Sequence, residues 1–269
     1  MEYRDIPVET LEQDEFGIEK YVLALCDFIK KCDTPITIAL QGEWGCGKSS
    51  FMKILENCLC SQRLSAQERY EAIWLNTWEL FLENNYEQAV QKLIFNLLSQ
   101  LERHFSRLAQ KQRAEDQRAM VRHCLKTFSG IALNVANVAS DHYEELLDKM
   151  FSENSSGGSI YRAKRDFETF LTGEVEEKGN GVTNQAFLIF VDDLDRLEPR
   201  MAVTLLEALK NLFDIRKCIF ILAIDYDVIA QGIAQKYGTT NVSNRNIEQD
   251  FFDKLIQVPY AIPMAKYQI

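Results

Sequence analysis

The sequence predicts an α/β protein in which a parallel sheet is layered between helices. Three observations lead there. Short apolar runs rich in Ile, Leu, Val and Phe alternate with stretches of helical periodicity. The first of these runs leads at once into a glycine-rich turn and then a helix. The third ends in adjacent carboxylates, Asp192 and Asp193, where an uncharged strand would ordinarily meet a polar turn.

Taken in order, residues 14–32 read as a first helix, because Phe16, Ile18, Tyr21, Val22, Leu25 and Phe28 recur near a 3.6 period. Asp33-Thr34-Pro35 ends it. Ile36–Leu40 is an apolar, β-branched run that fits a buried parallel strand, and Ser49–Leu59 fits the helix after the glycine turn. Ala72–Asn76 reads as a second strand. From Tyr86 to Met150 the pattern is helical, with Val90, Leu93, Ile94, Leu97, Leu98 and Leu101 on one face. Ser152–Ser159, rich in Ser and Gly, reads as a linker, followed by a helix over Tyr161–Leu171. Phe187–Val191 and Cys218–Ile224 are the third and fourth strands, with helices at 200–214, 226–236 and 246–255. The chain thus divides into 1–85, the first part of an α/β core; 86–172, a helical insert; and 173–269, the rest of the core.

Composition sets limits. The 269 residues allow one large domain or two small ones, and 46% hydrophobic content is enough to build a core. With 30 basic against 40 acidic side chains, the net charge of -10 excludes binding to polyanions through bulk charge. The seven cysteines and three histidines show no zinc-ligand spacing, so free thiols in a reducing, cytoplasmic setting are expected. The N-terminal residues show no basic segment followed by an apolar one, so no secretory signal is expected. No uncharged run reaches the roughly 18–20 residues of a membrane span, and a membrane partner is not expected.

Gly42-Glu43-Trp44-Gly45-Cys46-Gly47-Lys48-Ser49 fits the pattern G-x-x-x-x-G-K-S/T. The residue types follow from phosphate chemistry. Successive backbone N–H groups form an anion nest, glycines let the backbone approach phosphate oxygens, and the helix start adds its positive end. Lys48 is expected at the β- and γ-phosphates and Ser49 at Mg²⁺, with Gly42, Gly45, Cys46, Gly47 and Ser50 around the nucleotide. The preceding apolar strand and the following amphipathic helix are the context this pattern requires. Trp44 packs on the sheet or near a base, and the sequence leaves that open.

Val191-Asp192-Asp193-Leu194-Asp195-Arg196 is the second signal. Asp192, read as the first residue past the strand, fits a carboxylate that holds Mg²⁺. Asp193 stands where a general base could polarise water. Asp195 would orient Arg196 or start a turn. Asp225, at the tip of the fourth strand, has two readings: a sensor touching the γ-phosphate or its water, or a cap on the next helix. Trp78, after the second strand, is expected to pack in the core or against a helix.

Four segments together resemble the KAP family of P-loop NTPases: Gly42–Ser50, Leu75–Trp78, Phe190–Leu197 and Phe252–Tyr260. The resemblance covers roughly residues 10–262 apart from the helical insert. It implies an additional-strand P-loop fold, a three-layer sandwich, and Mg²⁺-dependent ATP hydrolysis. Lys48 and Ser49 then serve phosphate and Mg²⁺, Asp192 serves Mg²⁺, and Asp193 takes the catalytic acidic position. The family is similar in design to ATPases that switch or assemble, so a homo-oligomer and an effector protein are the expected partners. Several bacterial members act in defence against phage or plasmids.

Two departures stand out. Many members carry transmembrane helices in the insert, whereas here its least polar piece, Thr127–Ser140, holds Asn134 and Asn137 and suits a core or interfacial helix. Members usually continue past the point where this sequence stops, so a piece lacking a C-terminal region is expected. The insert also has Arg103, Arg107 and Lys111, then Arg118, Arg122 and Lys126, each set at four-residue spacing. That stripe is a solvated helix face, or else a track for nucleic-acid phosphates or an acidic partner. Arg196, Arg200 and Arg216 are candidates for a charge-stabilising arginine given to a neighbouring subunit. The reading is therefore an ATPase whose nucleotide state controls assembly or an effector. Its alternative is a nucleotide-gated scaffold with little turnover.

Overall fold

The computed structural model describes residues 7–14, 17–65, 68–80, 186–238 and 244–263, with scattered helical positions between 89 and 103 and at 164, 165 and 168. Five strands form one sheet: β1 (Ile36–Gln41), β2 (Glu71–Asn76), β3 (Phe187–Asp192), β4 (Cys218–Ile224) and β5 (Val258–Ala261). Their order is β2-β3-β4-β1-β5, and every pairing is parallel. The expected α/β architecture is present, with β4 lying between the glycine-turn strand β1 and the carboxylate strand β3.

Parallel strands covered on both faces read as apolar runs, as β4 does throughout and β3 does up to Asp192. β4 is buried at all seven positions, and β3 at its first five. β1 hides Ile38, Ala39 and Leu40 completely. Helices α1 (Glu19–Ile29) and α2 (Lys48–Cys60) bring Val22, Leu25, Ile29, Phe51, Ile54 and Leu55 into the same core. Each fully buried Leu, Ile or Phe contributes about 1.5–3 kcal/mol relative to exposure. Past β3, the described residues form α3 (Pro199–Phe213), α4 (Tyr226–Tyr237) and α5 (Asn244–Leu255).

Two expectations are corrected here. The first helix does not run over 14–32 but begins at Glu19, whose N–H is capped by Asp14 Oδ2 at 2.9 Å. Gly17 precedes it with a left-handed φ of 67°, which breaks the helical path that periodicity alone would extend. The second is the edge strand β5, which was not expected. Its proline is tolerated because β5 pairs with β1 alone.

By compactness the chain forms two units. The first comprises residues 1–78, 183–203 and 218–269 and holds the sheet, and the second comprises 79–182 and 204–217. In the second, Ala89, Leu93, Leu97 and Leu101 are buried at four-residue intervals, which agrees with the expected apolar helix face. Arg103 is exposed there and donates from Nε to the Ser99 carbonyl. Arg107, Lys111, Arg118, Arg122 and Lys126 lie outside the described residues, as do the linker at 152–159 and the uncharged stretch at 127–140. No helix among the described residues is long and apolar enough to cross a membrane. The six described cysteines are free thiols.

Gly232 shows how tightly the helices of the first unit are fitted. A Cβ built there would come 2.1 Å from the Pro199 carbonyl oxygen and 2.8 Å from a Val203 methyl. Alanine would gain about 1 kcal/mol of helix propensity, but overlap with a fixed backbone carbonyl costs more. Gly232→Ala is expected to destabilise the fold by about 2–3 kcal/mol net, read as a lower melting temperature in differential scanning calorimetry.

Candidate nucleotide site

Because all five strands run the same way, their C-terminal ends share one edge of the sheet. The glycine turn after β1 and the carboxylates at the end of β3 therefore meet there. The Gly42 N–H points to the Ile224 carbonyl of β4 at 3.4 Å, which ties the turn to the strand between them. All residues of this site belong to the first unit.

The turn is built by its glycines. Gly45 and Gly47 have φ of 82° and 91°, a left-handed region that side chains resist. Around either one a Cβ would meet nothing within 4 Å, so the loop is open where its backbone turns. At Gly42 a Cβ would lie 2.3 Å from Cys46 Sγ, so that thiol would have to turn away. Gly47 precedes α2 without a side-chain cap, leaving the first N–H groups of that helix to bind an anion. Trp44 stands out from the loop, 75% exposed, and is not packed on the sheet.

Lys48, the first residue of α2, is buried with its ammonium turned back into the loop. Nζ donates to the carbonyls of Gly42 at 2.7 Å and Glu43 at 3.1 Å. It also lies 2.9 Å from Asp195 Oδ2, with side-chain exposures of 8% and 7%. That third contact is an ion pair by distance but is not aligned as a hydrogen bond, and Oδ2 makes no hydrogen bond of its own. Ser49 is half-buried beside it. The Ser50 hydroxyl accepts from the Val8 N–H at 3.1 Å, fastening the N-terminal segment to α2.

On the carboxylate side, Asp192 is the last residue of β3, not the first beyond it. Its backbone oxygen accepts from the Thr77 hydroxyl at 2.9 Å, and its Oδ1 accepts from the Asp193 N–H at 2.9 Å. Thr77 is fully buried, and sequence reasoning passed over it; only its place in the Leu75–Trp78 segment pointed that way. Asp193 takes a left-handed φ of 62° and turns the chain into a 3-10 turn at Leu194–Arg196. This turn holds Asp195, as one of its two readings had it, and leaves the other reading and the placing of Trp78 to be corrected. Asp193, not Asp195, pairs with Arg196, at 2.6 Å, while Asp195 is carried inward to Lys48. Trp78 is not core: it is 51% exposed, with the Arg196 guanidinium 4.9 Å above its ring.

Asp225 follows β4 directly and caps α4, its Oδ1 accepting from the Asp227 N–H at 3.0 Å. Of the candidate arginines, Arg196 is paired as above and Arg216 pairs with Glu168, while the backbone N–H of Arg200 donates to Glu198 Oε1 at 3.3 Å.

Burial, then the charge of Asp192, pushes the Asp193 carboxyl above the ordinary aspartate range, while Arg196 opposes the shift. A carboxylate with a raised pKa is the stronger base, and it stops accepting protons at a higher pH than an exposed aspartate would. If Asp193 is the base, turnover falls on acidification at a pH above the usual aspartate range. That acid limb is expected to disappear from the residual pH–rate profile of Asp193→Asn.

A glycine loop before a helix, a buried lysine inside it, and carboxylates from a strand two places away in the sheet define a P-loop nucleotide-binding domain of the additional-strand type. The profile of the KAP family P-loop domain matches residues 18–268, and the chain belongs to that family. A comparison with curated proteins finds no match.

Proposed function

We propose that this domain binds ATP with Mg²⁺ and hydrolyses it, and that its nucleotide state controls self-assembly or an effector protein. The observation that carries the proposal is the buried Lys48 ammonium, held inside an open glycine loop at the sheet edge where Asp192 and Asp193 end β3. A lysine this buried needs anionic company, and the uncapped start of α2 favours the same.

The residues fit the expected ligands. Lys48 and the loop N–H groups would hold phosphate oxygens. Ser49 Oγ and Asp192 would hold Mg²⁺. No three His, Cys, Asp or Glu side chains among the described residues converge as a metal-holding group. Mg²⁺ is held by few protein ligands and keeps waters and phosphate oxygens as the rest. Bound Mg²⁺-ATP supplies the transferable γ-phosphoryl group and neutralises part of its charge. Asp193 then accepts the proton of the attacking water at its carboxylate, and Lys48 stabilises the negative charge that develops.

One observation favours a second reading, a nucleotide-gated scaffold with little turnover. Asp193 is held by Arg196 at 2.6 Å, and a base fixed in an ion pair is a poor proton acceptor until released. Calorimetric titration with ATP, with and without Mg²⁺, tests the shared core of both. Saturable 1:1 binding that Mg²⁺ strengthens is expected, and no heat of binding at millimolar ATP would refute them.

A further inference from the structure

The Lys48 ammonium has three N–H groups and three close oxygens: the Gly42 and Glu43 carbonyls and Asp195 Oδ2, at 2.7, 3.1 and 2.9 Å. An arriving phosphate needs one of those places. The two carbonyls are neutral and belong to the loop itself. Asp195 is charged, and a polyphosphate beside it would be repelled, all the more strongly because both partners of the pair are more than nine-tenths buried. We infer that Asp195 is a built-in competitor for Lys48, which occupies the lysine in the anion-free loop and is displaced when a polyphosphate binds. This rests on the reading of Gly42–Ser49 as the phosphate loop.

The displacement has a direction. Asp195 lies in the 3-10 turn at Leu194–Arg196, closed by N–H bonds from Arg196 to the Asp193 carbonyl and from Leu197 to the Leu194 carbonyl, at 3.1 and 3.3 Å. Its Oδ2 is buried without a hydrogen bond among the described residues, and the Lys48 ion pair is its polar contact there. Losing Lys48 leaves a buried carboxylate unpaired, which drives the turn to move. The next residue, Arg196, joins Asp193 to the exposed Trp78. Arrival of an anion at the loop is thereby transmitted to the pair that restrains Asp193 and to the surface at Trp78. Asp195 is a positioning residue that acts through Lys48.

The test uses the full chain with inorganic tripolyphosphate as the probe. Asp195→Asn is expected to bind it at least about tenfold more tightly than the unsubstituted chain, whereas a merely structural residue would weaken binding when changed. Equal or weaker binding by Asp195→Asn, with binding by the unsubstituted chain and none by Lys48→Met, overturns this inference alone. Binding by neither the unsubstituted chain nor Asp195→Asn overturns the site reading as well. A second arm needs no change at Asp195. In the unsubstituted chain, saturating tripolyphosphate is expected to alter hydrogen exchange at the Arg196 and Leu197 amides. Unchanged exchange there overturns the inference even if Asp195→Asn fails to fold.

Discussion

Lys48→Ala is expected to abolish nucleotide binding and to destabilise the protein at once. The first effect follows from losing the one cation inside the loop, worth at least about 10²–10³ in turnover if any binding survives. The second follows from Asp195, whose buried Oδ2 has no hydrogen bond among the described residues and would lose its ion pair. Removing one partner of a buried pair costs about 3–5 kcal/mol, because the remaining charge stays out of water. The two effects separate in the double variant. Lys48→Ala with Asp195→Ala should recover most of the stability, since no stranded charge remains, yet bind no nucleotide. Denaturant unfolding and nucleotide titration on the same preparations read the two. A stable Lys48→Ala protein would mean that the pair contributes little to the fold.

The second large effect is expected at Asp193. Asp193→Asn should lower turnover by about 10²–10⁴ while leaving nucleotide binding within a few fold, as loss of a general base does. The substitution suits the site. Asn tolerates the left-handed φ of 62° that position 193 requires, whereas alanine there would add strain to the loss of charge. The pair with Arg196 is lost too, but Arg196 is partly exposed, so that loss costs only about 0–1 kcal/mol. A large fall in turnover without a fall in melting temperature therefore reports on chemistry. Unchanged turnover in Asp193→Asn would remove this residue from the mechanism and leave the scaffold reading standing.

What could be read in advance from the amino-acid sequence follows from which forces are local. β1, β3 and β4 were legible because a strand buried on both faces reads as a nearly continuous apolar run. The glycine loop was legible because its backbone conformation needs glycine, and glycine is visible. β5 was not, since an edge strand with a proline and half-exposed neighbours has no such pattern. The partners of Asp193 and Asp195 were not legible either. They depend on the left-handed turn at Asp193, which swings the next residues through an angle that no periodicity encodes. Trp78 failed for a related reason: its large apolar surface argues for burial, but the short 3-10 turn at Thr77–Leu80 leaves it under Arg196. For Asp225 the cap was one of two open readings, and the Asp227 N–H is where its carboxylate is found.

Under the proposed function, the loop at Gly42–Ser49 and the carboxylates of β3 act as one nucleotide-hydrolysing site whose state governs assembly. Its most direct test is Mg²⁺-ATP turnover by the full chain over a protein concentration series, run beside Lys48→Ala and Asp193→Asn. Turnover per chain is expected to rise with concentration and to be lost in both variants, with ATP binding kept in Asp193→Asn. Turnover that persists in Lys48→Ala, or no turnover at any concentration although ATP binds, would contradict the proposed function.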